Sequence, residues 1–129
     1  MRQAGQVDKT DITTAIAYAT CSAAMNLNAT AIITVTMSGF TAEAVSRFKP
    51  GCRVVACSIN EHVSRQLNLL WGVNSLILKR ESTTDELFAD AIEAAKKAGY
   101  VKKGDVVVLT AGVPLGVAGT TNMIHVIEI

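Results

Sequence analysis

Five short runs rich in β-branched apolar residues, spaced along the chain with segments of different character between them, constrain the fold most. They are Ala31 to Thr36 (AIITVT), Arg53 to Ser58 (RVVACS), Val73 to Leu78, Asp105 to Thr110 (DVVVLT) and Met123 to Ile129 (MIHVIEI). The first four lack the in/out alternation of a half-solvated strand and so predict strands buried on both faces, the mark of a mainly parallel sheet with helices on either side. Three of the four gaps between strands hold a helix. Thr41 to Phe48 follows the Met37-Ser38-Gly39-Phe40 break, a helix capped by Asn60 reaches about Leu70, and Leu87, Phe88, Ala91, Ile92 and Ala95 keep a 3.6-residue period up to Ala98. Thr83 and Glu86 have the spacing of a capping box, and Gly99 stands where a left-handed cap ends the helix. A further helix precedes the first strand, from Asp11 to Leu27, rich in alanine, without Gly or Pro, and with Thr10 or Asp11 to cap it. Between the last two strands no helix fits. The final strand therefore turns back antiparallel at an edge, as the alternation of Ile124, Val126 and Glu128 with Met123, His125 and Ile127 suits.

The chain has 129 residues and reads as a single domain over 1–129, with 1–9 as a polar lead-in. Charged residues make up 18% and sum to +1, which leaves no footprint for nucleic acid or an anionic membrane. No segment is apolar for long enough to span a bilayer and no signal peptide opens the chain, so a cytoplasmic location is expected. Three cysteines, Cys21, Cys52 and Cys57, form no C-x-x-C pair, and only two histidines could join them, so buried reduced thiols are expected and no metal site. Trp71 reads as packing; His62 and His125 read as surface or interface residues.

Chemistry is sought where the winding of an open sheet reverses, at the carboxyl ends of its strands. If the first strand is central and the fourth returns beside it, the loops that follow these two flank the crevice. They are also the stretches richest in Gly, Ser and Thr. Thr36-Met37-Ser38-Gly39-Phe40-Thr41 sets three hydroxyls and a glycine at a helix start, where free amides and the positive dipole end suit a phosphate. The same residues could serve only to cap the helix and make its turn. The second loop, with Gly112, Val113, Pro114, Gly116, Gly119 and Thr120, matches neither dinucleotide fingerprint nor P-loop. Ser38 lacks a nucleophile elbow, and no triad or carboxylate pair is visible, so no catalytic residue is assigned.

From about Thr10 onward the chain resembles the C-terminal domain of pyruvate kinases. Asp11-Ile12-Thr13-Thr14-Ala15-Ile16-Ala17-Tyr18-Ala19, Ala31 through Ala42, Val45 through Pro50, Lys103 through Val108 and Gly119-Thr120-Thr121-Asn122 stand in family order. The resemblance implies a three-layer α/β/α sandwich with strand order 3-2-1-4-5 and strand five antiparallel. It also implies that Thr36, Ser38, Gly39 and Thr41, with Met37 and Phe40 between them, grip an effector phosphate, and that Gly112 to Thr120 form the effector loop. Pairing with a second copy follows from it too. So does the absence from these residues of the barrel that holds phosphoenolpyruvate, Mg and K, hence no cofactor here and no phosphoryl transfer by this chain alone. Family members that bind fructose 1,6-bisphosphate often carry basic or aromatic groups near the second phosphate. Met37, Phe40, Leu87 and Val113 offer no cation there, so a sugar monophosphate or AMP is the expected effector. A free-standing phosphatase or transferase using Ser38, or a structural dimerisation unit, is the alternative.

Overall fold

The computed structural model describes residues 9–35, 39–78, 84–111 and 123–129. Along the chain run α1 (Lys9–Asn26), β1 (Ala31–Val35), α2 (Phe40–Arg47), β2 (Arg53–Ser58), α3 (Glu61–Leu67), β3 (Val73–Ile77), α4 (Thr84–Lys97), β4 (Val106–Ala111) and β5 (Met123–Glu128). The five strands form one sheet in the order β3-β2-β1-β4-β5. All neighbours are parallel except β4 and β5, which pair antiparallel from Val106 with Glu128 to Ala111 with Met123. This is the expected α/β sandwich, and the buried β1, β2 and β4 fill its centre with Ile32, Ile33, Val54, Val55, Val107, Val108 and Leu109.

Two separate cores lie on the two faces. On one, α1, α2 and α3 cover Ile32, Val54, Ala56, Val73 and Val108 through Ala17, Cys21, Ala24, Ala42, Val45 and Leu67. On the other, α4 packs Leu87, Ala91 and Ala95 over Ile33, Val55, Cys57, Val107 and Leu109, with no other helix there among the described residues. The α1 helix buries Thr13, Ala17, Thr20, Cys21 and Ala24, a stripe at 3.6-residue spacing made entirely of small side chains. Thr20 keeps its buried hydroxyl satisfied by donating to the Ile16 carbonyl at 2.7 Å. At its end α4 stops as expected: Gly99 takes φ +81°, Tyr100 N donates to Ala95 O and Gly99 N to Lys96 O, each at 3.0 Å.

Several expectations need correcting. Helix α1 already runs from Lys9, so Thr10 and Asp11 sit inside its first turn instead of capping it. Helix α3 ends at Leu67 and not near Leu70, because Asn68 turns its side chain to accept from Ser75 N at 3.1 Å and leads the chain into β3. Trp71 does not pack into the core. It stands 55% exposed at the turn before β3, while its carbonyl accepts from Ser46 Oγ at 2.9 Å. The Asn60 cap is in place, its Oδ1 accepting from Val63 N at 3.1 Å. The Thr83 capping box lies outside the described residues.

Candidate functional site

The switch point falls between β1 and β4. From β1 the chain passes to α2 on the three-helix face, and β4 lies on the opposite side of β1 from β2, in register, with Val35 beside Ala111 and Thr34 beside Thr110. The last residues of these strands are thus neighbours across one hydrogen-bonded ladder, about 4.8 Å apart. The two Gly/Ser/Thr-rich loops start from adjacent points, which is what the crevice argument required.

Of the first loop, Gly39, Phe40 and Thr41 are described, whereas Thr36, Met37 and Ser38 lie outside the described residues. Gly39 is the N-cap of α2, at φ +87° and ψ −4°, with no side-chain cap. This is a left-handed conformation that glycine adopts freely. The packing is close as well, since a Cβ here would meet Leu67 Cδ2 at 3.1 Å and Val63 Cγ1 at 3.4 Å, and those side chains would have to give way slightly. The α2 start is in this way pressed against α3. Phe40 opens the helix one residue earlier than the sequence suggests, and Thr41, buried in its first turn, is not the cap. The positive end of α2 therefore points back toward the chain leaving β1. The first turn of α2 carries one acid, Glu43, which is paired on the surface with Arg47 of the last turn at 2.8 Å.

Beneath this end, Thr34 is fully buried, and among the described residues its Oγ1 is the one buried side-chain oxygen without a hydrogen-bond partner. Its register partner Thr110 is satisfied, donating to Met123 O at 2.9 Å. Nothing in the sequence marks Thr34 apart from other strand threonines. The second loop, with Gly112, Val113, Pro114, Gly116, Gly119 and Thr120, lies outside the described residues, although its anchors Ala111 and Met123 are fixed as register partners.

Elsewhere the chemistry is sparse. Among the described residues no three of His, Cys, Asp and Glu converge as metal ligands, and His62 and His125 are both exposed. No described helix is long and apolar enough to cross a membrane. All three cysteines are free thiols, Cys21 and Cys57 buried and Cys52 half-buried.

Comparison with known proteins adds what geometry alone does not. The family model described as the pyruvate kinase alpha/beta domain matches residues 14–127. The chain belongs to the pyruvate kinase alpha/beta-domain family. It is 45% identical over 119 residues to a pyruvate kinase of Clostridium acetobutylicum, covering 92% of this chain and 25% of that protein. A pyruvate kinase of Geobacillus stearothermophilus is 43% identical over 130 residues, covering 99% of this chain and 22% of the relative. One from Sporosarcina psychrophila is 44% identical over 119 residues, 91% of this chain and 20% of the relative. The chain thus spans about a quarter or less of the length of these pyruvate kinases.

Proposed function

We propose that the chain is the regulatory module of a pyruvate kinase, binding a phosphorylated small molecule at the start of α2 and performing no phosphoryl transfer by itself. The observation that carries this is the N-terminus of α2: a left-handed Gly39 at the helix start, beside the switch point, with Thr36, Ser38 and Thr41 bracketing it in sequence. Amides at the positive end of a helix, joined by hydroxyl donors, bind a dianion without a charged side chain. The second loop, from Gly112 to Thr120, belongs to the same proposal on its place in the sequence and the family resemblance alone.

The effector we propose is a monophosphate, a sugar phosphate or AMP. From Ala31 to Ser46 and from Val106 to Asn122 the chain contains neither Lys nor Arg, so a second phosphate on the ligand would meet no cation from these segments. Assembly with a second copy is part of the same proposal. It is supported by Tyr18, 62% exposed on α1 with its ring edge-on to Phe48 at 5.7 Å, and by Val126, 47% exposed on β5. Calorimetric titration of the chain with AMP, a hexose monophosphate and fructose 1,6-bisphosphate tests the reading. Tighter binding of a monophosphate is expected; a clearly tighter bisphosphate would overturn the ligand class, and no heat from any of the three would overturn the module's role.

A further inference from the structure

Away from that crevice, the C-terminal half of α1 and the turn leading into β2 enclose a cleft of about 160 Å³. Its lining includes Cys21, Met25, Asn28, Pro50, Gly51 and Cys52. Three sulfur-bearing residues from two distant parts of the chain thus line one small space. Cys21 and Met25 are one helical turn apart on α1, and Cys52 belongs to the turn before β2. The Cys21 thiol donates a long hydrogen bond to the Val45 carbonyl, at 3.8 Å, which a metal bound at its sulfur would replace. Cys21 is buried, Cys52 half-buried and Met25 71% exposed.

The donor set selects the ligand. Thiolates and a thioether are soft donors that favour soft d10 cations over Mg, Ca or Mn. A structural zinc ion would take four ligands, commonly Cys or His, and among the described residues no such group converges here. Two thiolates suffice for a monovalent ion that accepts two- or three-coordination. We propose that Cys21, Cys52 and Met25 form a binding site for one soft monovalent cation of the copper(I) type, held by both thiolates with the thioether as a third donor. Binding exchanges protons for metal and needs no oxidant: the cation enters, each S–H gives its proton to solvent, and the bis-thiolate complex carries one negative charge.

The probe is copper(I), delivered anaerobically from a weak chromogenic chelator to the 129-residue chain. Trp71, the single tryptophan, borders the adjoining groove together with Cys52, so its emission reports on the site. The wild type is expected to take one equivalent, to show a mass gain of one copper less two protons, to quench Trp71 and to protect Cys21 and Cys52 together from alkylation. Cys52→Ala, at the half-buried position, is expected to lose the equivalent while keeping its fold. Met25→Leu should weaken binding without abolishing it. Cys57→Ala, on the opposite sheet face, should leave it unchanged. Copper uptake that survives Cys52→Ala, follows Cys57, or protects only one thiol would overturn the proposal.

Discussion

The two faces of the sheet are built by opposite means. Against one, the single helix α4 lays down large residues in an obvious period, Leu87, Phe88 and Ile92 with Ala91 and Ala95, and covers the centre of the sheet. Against the other, three helices crowd together on small ones: Ala17, Cys21 and Ala24 of α1, and Ala42 and Ala44 of α2, with Gly39 pressed on α3. The large-residue face draws its stability from apolar area. The small-residue face draws it from close approach, and it is there that the start of α2 is fixed at the switch point. Stability and site placement should therefore respond differently to substitution on the two sides.

Leu87→Ala should have the largest effect on stability. It removes a buried leucine from the face that, among the described residues, α4 covers, at a cost of about 2–5 kcal/mol, read by denaturant unfolding. Anion affinity, measured where the variant is still folded, should be unchanged. A matching loss of affinity would break the distinction between the faces. Gly39→Ala should cost less, about 1–3 kcal/mol, since the new Cβ meets Leu67 and the residue must hold a positive φ. Unlike the first variant, it should also lose the response to phosphate.

The single-helix face carries a pH signature as well. Burial pushes the Cys57 thiol up to about 12 from a reference of 9.0, so the folded state holds a proton that the unfolded chain releases sooner. Stability from this group is complete below the reference value and declines as pH rises toward 12, by up to about 1.4 kcal/mol per pH unit. Unfolding measured across that window should fall less steeply in Cys57→Ala. Parallel curves for both proteins would contradict the assignment. The smallest effect is expected at Thr34: Thr34→Val removes an unpartnered buried hydroxyl at nearly constant shape and should stabilise the fold by about 1 kcal/mol.

The faces also differ in how far they could be read from the sequence. Helix α4 announces itself through large apolar residues at helical spacing and a terminal Gly99. In α1 the polarity pattern is silent, because Ile12, Tyr18 and Met25 lie outside while Thr13 and Thr20 lie within; only the sizes of its residues trace the buried stripe. Strand order followed from family resemblance, and the positions of the two loops from the rule about switch points. The end of α3 was missed because the Asn68 side chain competes for a β3 amide, a contact between residues seven apart that no local pattern reveals. Trp71 was misplaced for a related reason: an apolar run beside a turn does not say which member faces water. The position of Gly39 was legible, but its packing against Leu67 was not, and the meeting of Cys21 with Cys52 depends wholly on how α1 lies over the turn before β2.

The direct test of the α2 start as an anion site is thermal unfolding with and without AMP, in the wild type and in a variant carrying Ser38→Ala and Thr41→Ala together. A ligand that binds only the folded chain raises its midpoint. The midpoint should rise with AMP in the wild type and stay fixed in the double variant; an equal rise in both, or none in the wild type, would contradict an anion held by hydroxyls and amides around Gly39.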